Sequence, residues 1–214
     1  GAGQGQNIAR QVALEAGLSI QTPATTINQV CGSGLQAVIL GAQSILAGDN
    51  EIVLVGGTEN MSQAPYLSLN SRWGQRMGQQ VLEDGLLMDG LTDAFSGDHM
   101  GVTAEKIATD YQISRQAQDA FAAASQAKAQ EALKAGRFMD EIVPIEISQK
   151  KGAPLIFQTD EYPRFDITEA DLARLRPAFT KDGTVTAGNS SGINDGAALL
   201  LLMTEERSKA LDLP

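Results

Sequence analysis

Cys31 is the only cysteine in the 214 residues, and it stands in NQVCGSGLQAV, where a β-branched stretch gives way to Gly32, Ser33 and Gly34. Those three small residues open a helical pattern. A thiol at such a junction faces unpaired backbone N–H groups and the positive end of a helix dipole, which favours thiolate over thiol and suits it to nucleophilic attack. The flanking glycines let a substrate carbonyl approach the backbone, whose amides can then stabilise an oxyanion. Composition alone points the other way, because a free cysteine is most often a buried structural one. His99, in GDHMG, is the only histidine. Taken by itself it is more often a surface or packing histidine at a helix start than a functional one. One Cys and one His exclude an ordinary structural zinc site, which takes four such ligands. A single Cys also builds no disulfide framework, so the thiol reads as intracellular and either buried or reactive.

The elements that must position these residues are legible in the pattern. Ile8, Ala9, Val12, Ala13 and Ala16 recur at helical spacing and stop at Gly17. TPATTINQV then reads as a strand, CGSGLQAVILGAQSILAG as a helix and EIVLVGGTE as a second strand. Strand, helix, strand in that order predicts a βαβ unit with a right-handed crossover and a parallel sheet. From Ser62 to Gly85 the chain is polar, dotted with glycine and without a sustained period, so it reads as a long excursion from the sheet. A helix is predicted near His99 to Tyr111, and a longer one from Ser114, a good N-cap, to Ala135, stopped by Gly136. EIVPIEIS and PLIFQT read as short strands, ITEADLARL as a short helix capped by Thr168, and AALLLLM as a buried strand before a last helix. The fold class is α/β, a mixed sheet flanked by helices. Its core is discontinuous, formed by residues 1–61 and 186–214, with an α+β loop domain over 62–185 inserted between them.

A hydrophobic content of 43% supports one substantial core or a core with a smaller lobe. No apolar run reaches the ~20 residues of a membrane helix. The opening GAGQGQNIAR lacks the basic-then-apolar order of a signal peptide, so nothing points to export and a cytoplasmic protein is expected. A formal net charge of −10 argues against nonspecific nucleic-acid binding. An anionic ligand would have to be held locally, and Lys150, Lys151, Arg164, Arg174 and Arg176 are the clustered candidates; most such residues are ordinary solvated charges.

Four ordered segments then carry a resemblance. NQVCGSGLQAV resembles the nucleophile segment of the thiolase family, and EIVLVGGTENMSQAPY its following strand and glycine-rich turn. GLTDAFSGDHMGVTAEKIA is similar to the substrate-pocket segment, and LRPAFTKDGTVTAGNSSGINDGAA to the stretch that closes the family's first half. The resemblance implies a thiolase-like N-terminal half, with Cys31 as the acyl-carrying nucleophile. Gly97, His99, Met100 and Gly101 match the GxHMG of the short-chain acetoacetyl-CoA thiolases, which implies acetyl-CoA acetyltransferase activity. A bulky Met at the pocket wall leaves little room for a longer acyl tail.

By the same resemblance, Leu91, His99 and Met100 line the acyl and pantetheine end of the site. Arg164, Leu175 and Phe179 lie beside coenzyme A, and Ala187 and Ser191 contact the pantetheine chain. Ordinary core packing is the plain alternative for Leu175, Phe179 and Ala187. A family contact that is commonly Ser falls at Asp171. The implied substrates and partners are acetyl-CoA, acetoacetyl-CoA and coenzyme A, with neither metal nor redox cofactor, no nucleic acid and no membrane. The matching loop implies a homotetramer in the full-length enzyme. The family completes its site with a histidine, an asparagine and a second cysteine from a second half that duplicates the first. The 214 residues therefore read as an internal fragment, inactive alone. A ketosynthase-type condensing enzyme and a nonenzymatic remnant that only binds coenzyme A are the rival readings.

Overall fold

The computed structural model describes residues 1–213. In chain order the elements begin with α1 (Ile8–Glu15), α2 (Ser33–Leu46), β1 (Ile52–Asn60), β2 (Tyr66–Leu67) and β3 (Glu83–Asp84). They continue with α3 (Met100–Asp110), α4 (Arg115–Lys134), β4 (Ile145–Ile147) and β5 (Leu155–Phe157). The last three are α5 (Glu169–Ala173), β6 (Asp195–Met203) and α6 (Glu205–Ala210). The chain divides into two compact units, Gly1–Leu91 with Ile193–Pro214, and Thr92–Gly192. These limits differ from the 62 and 185 expected from sequence.

In the first unit, β1 and β6 pair antiparallel over nine residues, from Ile52 opposite Met203 to Asn60 opposite Asp195. Ser62 closes the ribbon's end: its amide donates to Asp195 Oδ1 at 3.0 Å and its hydroxyl to Asp195 Oδ2. The Ser62 hydroxyl and amide hold the Asp195 carboxyl below the usual carboxylate range. Helix α2 lies on one face of the ribbon. It comes so close at Gly41 that an added Cβ would sit 2.7 Å from Val55 Cγ1 and 3.0 Å from Leu202 Cδ1. The first turn of α2 also lies over the ribbon, where a Cβ on Gly57 would meet Gly34 Cα at 3.6 Å.

Two expectations are corrected here. Residues 23–28 have no regular secondary structure and join no ladder, and the sheet partner of β1 is the antiparallel β6, so the described residues contain no parallel βαβ unit. In place of a ladder, part of the TPATTIN segment and the turn before it is tied to α1 and its N-cap Asn7. Arg10 donates to the carbonyls of Thr22 at 2.5 Å and Ile20 at 2.7 Å, Asn7 Nδ2 to that of Ala24 at 3.0 Å, and Thr26 Oγ1 accepts from the Ala9 amide at 3.0 Å. Second, AALLLLM is a strand but not a buried one: α2 packs on the face that carries Val53, Val55 and Leu202 without burying Leu200 on that face, and Leu199 and Leu201 on the opposite face are exposed.

The predicted caps hold in the second unit. Ser114 caps α4 by accepting from the Ala117 amide at 3.1 Å, and Gly136 follows its end with a φ of 65°, the left-handed conformation that stops a helix. Thr168 and Asp171 form a reciprocal capping box on α5. Strands β4 and β5 form a short antiparallel hairpin from Ile145 opposite Phe157 to Ile147 opposite Leu155. The buried side chains of this unit include Ala108, Asp119, Ala132, Leu172, Val185 and Thr186.

Candidate active site

Cys31 is exposed and lies two residues before α2. The preceding Val30 has a φ of 50°, a left-handed conformation that a β-branched residue adopts only under constraint. The constraint is visible. The Val30 amide donates to Asn28 Oδ1 at 2.9 Å, and its carbonyl accepts from the Ser33 amide at 3.1 Å and the Ser33 hydroxyl at 2.7 Å. Ser33 Oγ also accepts from the Gln29 amide at 2.7 Å, and the Gly32 amide reaches the Gln29 carbonyl at 3.0 Å. Ser33 thus ties the turn on both sides of the thiol. The amides of Gly34 and Leu35 have no acceptor among the described residues. Free donors at a helix start beside an exposed thiol are suited to an oxyanion.

In the second unit, residues 92–99 form a tight loop closed by a bridge between Thr92 and His99. Asp93 organises it by accepting from the amides of Ser96 at 2.7 Å and Phe95 at 3.0 Å, and these bonds hold its carboxyl below the usual range. The loop delivers His99 to the N-cap of α3, where Nδ1 accepts from the Gly101 amide at 3.0 Å. In the neutral ring the proton then sits on Nε2, leaving that nitrogen a donor. The ring stacks on Phe179 with centroids 4.9 Å apart and planes at 23°. Met100, the first residue of α3, is partly exposed beside it.

The turn Thr184–Ser191 is held by a polar network. Glu105 accepts from the Thr184 amide at 2.9 Å, the Thr184 hydroxyl at 3.0 Å and the Val185 amide at 2.8 Å. Burial is the largest single influence on the Glu105 carboxyl and would raise it; the bonds from Thr184 and Val185 together prevail and lower it. Asn189 Nδ2 donates to Asp119 Oδ1 at 2.9 Å and to the Thr184 carbonyl at 3.1 Å, and Asn189 Oδ1 accepts from the Thr186 amide at 2.7 Å. Ala187 and Ser191 are exposed on this turn, and a Cβ on Gly188 would meet Leu175 Cδ1 at 2.5 Å.

Of the residues singled out by sequence, Cys31 and Leu91 lie in the first unit and His99, Met100, Arg164, Leu175, Phe179, Ala187 and Ser191 in the second. The structure joins His99 to Phe179 and seats Leu175 against Gly188. Arg164 is exposed; its amide donates to Gln126 Oε1 at 2.8 Å and its guanidinium has no ion pair among the described residues. Asp171 is spent on its cap: the Thr168 hydroxyl and amide donate to its carboxylate at 2.5 and 3.1 Å and hold it below the usual range. Sequence reasoning missed Glu105, Arg115, Asp119 and Asn189. The one available signal was Arg115 and Asp119 at i, i+4 at the start of an Ala-rich helix. Among the described residues, no helix is long and apolar enough to cross a membrane, and no group of three or more His, Cys, Asp or Glu could hold a metal.

The family described as thiolase, N-terminal domain, matches residues 1–206. An acetyl-CoA acetyltransferase of Pseudomonas aeruginosa is 57% identical over 213 residues, covering all of this chain and 54% of the relative. One of Thiocystis violacea is 58% identical over 212 residues, 99% of this chain and 54% of the relative. A probable acetyl-CoA acyltransferase of Staphylococcus epidermidis is likewise 58% identical over 99% of this chain. The chain spans about half the length of the curated relatives it matches. With the match running from Gly1 almost to the end and including the Cys31 turn, the chain belongs to the thiolase family.

Proposed function

We propose that the full-length protein carrying these residues is an acetyl-CoA C-acetyltransferase, with Cys31 as its nucleophile. The observation that carries this reading is the exposed thiol on a constrained turn, directly before two helix amides with no acceptor. The Cys31 thiolate adds to the carbonyl carbon of acetyl-CoA, the oxyanion draws on the free amides, and the C–S bond to coenzyme A breaks, with coenzyme A leaving as thiol after taking up a proton. The acetyl group is then on sulfur. A second acetyl-CoA loses an α-proton to a base, and its carbanion attacks the acyl-cysteine to form acetoacetyl-CoA and free the thiolate. This is covalent catalysis in two half-reactions, expected to give ping-pong kinetics. Neither half-reaction needs a metal or a redox group.

In this reading Leu91, His99 and Met100 serve the acyl and pantetheine end, His99 as an Nε2–H donor and Met100 as a limit on acyl length. Arg164, Leu175 and Phe179 serve coenzyme A, Arg164 with a free, exposed guanidinium suited to phosphate. Ala187 and Ser191 serve the pantetheine chain. The full-length protein is read as a cytoplasmic homotetramer. The second base is read as lying outside the 214 residues, so the isolated chain acylates Cys31 once and does not turn over.

Incubating full-length protein with acetoacetyl-CoA and coenzyme A tests the reading through loss of the thioester over many turnovers. Peptide mapping should find an acetyl group on Cys31. Turnover that survives Cys31→Ala would overturn the assignment.

A further inference from the structure

We propose that Arg115 and Asp119, one turn apart on α4, are positioning residues that hold the coenzyme A wall carried by Leu175, Ala187 and Ser191 in its binding geometry. The proposal rests on the function just described. Asp119 is 3% exposed, and a carboxylate that deep is tolerated only when it is paired and hydrogen-bonded. Its two oxygens serve two different parts of the wall. Oδ2 accepts from Arg115 Nε at 2.7 Å, and Oδ1 accepts from Asn189 Nδ2 at 2.9 Å.

Arg115 extends the first arm. Its Nη2 donates to the carbonyls of Leu172 at 2.6 Å, in the last turn of α5, and of Leu175 at 3.1 Å, just beyond that helix. Asn189 extends the second. Through the Thr184 carbonyl and the Thr186 amide it fixes the turn that presents Ala187 and Ser191. Thr186 is fully buried, and its Oγ1 accepts from the amides of Gly188 at 3.2 Å and Asn189 at 3.3 Å. The two arms meet where Gly188 packs against Leu172 and Leu175, with no room for a Cβ. The exposed contact residues are therefore placed by directed bonds converging on one carboxylate.

The chemistry at position 119 is narrow. Both donors point at oxygens, so an amide in either orientation sets an N–H against an N–H. In the full-length protein, Asp119→Asn is expected to raise KM for acetoacetyl-CoA about tenfold while kcat changes by less than about twofold, the signature of lost uniform binding. Arg115→Lys, which keeps the charge but cannot reach Asp119 and both carbonyls together, should raise KM in the same way and serves if Asp119→Asn does not fold. Titration calorimetry with coenzyme A should show the same loss of affinity in either variant. A variant that lowers the melting temperature or kcat but leaves KM and coenzyme A affinity at the wild-type values overturns the proposal. If wild-type protein does not turn over acetoacetyl-CoA, the assigned function fails, and the calorimetry still decides the bracket: equal affinity in wild type and Arg115→Lys, or none in wild type, overturns it.

Discussion

Gly101 and Phe179 approach so closely that a Cβ built on the glycine falls on the Phe179 ring. The same ring stacks on His99, whose Nδ1 is held by the Gly101 amide. One glycine thus fixes both members of the stack, its backbone holding the imidazole and its missing side chain admitting the phenyl ring.

Gly101→Ala is expected to destabilise the full-length protein. Gly101 is the second residue of α3, so alanine's helix preference gains at most ~0.5–1 kcal/mol there, whereas forcing a methyl into a packed site costs ~1–3 kcal/mol. Thermal melting checks it, and an unchanged or raised melting temperature would show that Phe179 moves aside without cost. KM for acetoacetyl-CoA should rise as well, because the ring can relieve the clash only by leaving His99.

Val30→Gly is expected to raise stability by about 1 kcal/mol, since a left-handed backbone is costly for a β-branched residue and free for glycine. The turn keeps its hydrogen bonds but gains backbone freedom at residue 30, next to the thiol, so kcat should fall. Denaturant midpoints and steady-state kinetics on one preparation check both parts. Higher stability with undiminished kcat would show that the constraint does not serve the chemistry.

Cys31 should be alkylated by iodoacetamide in the folded protein without denaturant, because the thiol is exposed. Prior incubation with acetyl-CoA should block the labelling by occupying the sulfur. Labelling that requires unfolding, or that acetyl-CoA does not affect, contradicts both the exposure and the acyl-carrier role.

Glu105 makes a pH prediction with a definite sign. Its carboxyl is lowered on folding because the bonds from Thr184 and Val185 outweigh burial. A lowered acid contributes stability that is present above its unfolded value and is lost as pH falls through the lower, folded value. Glu105→Gln should therefore cost stability at pH 7, where an amide N–H faces the donors of the turn, and the gap to wild type should narrow below about pH 4. Urea midpoints at both pH values measure it; a gap that is constant with pH would mean the charge does not contribute.

Trp73 is 92% and Met77 88% exposed on the segment between β2 and β3. A pair of large apolar side chains this exposed fits a contact with other copies of the protein. Replacing both by Ser in the full-length protein should lower its mass in light scattering, and an unchanged mass would remove the loop from any assembly.

The sequence by itself determined the local features, because these depend on near neighbours. Gly17 and Gly136 end their helices as read, Ser114 and Thr168 cap theirs, and Cys31 stands at the mouth of α2. The family was legible for the same reason, since four short ordered segments carry it. Tertiary structure alone decided what pairs with what. EIVLVGGTE and AALLLLM are far apart in sequence, and no local rule states that they lie side by side and antiparallel, or that α2 packs against the pair. The TPATTIN segment has strand-like residues, yet the carbonyls of Thr22 and Ala24 are taken by Arg10 of the helix before it and by Asn7, that helix's N-cap. The polar bracket was beyond reach for a related reason. Glu105, Arg115, Asp119 and Asn189 look like ordinary surface residues in sequence, and only folding, which buries Asp119 and brings a donor to each of its oxygens, turns them into a framework for the residues around them.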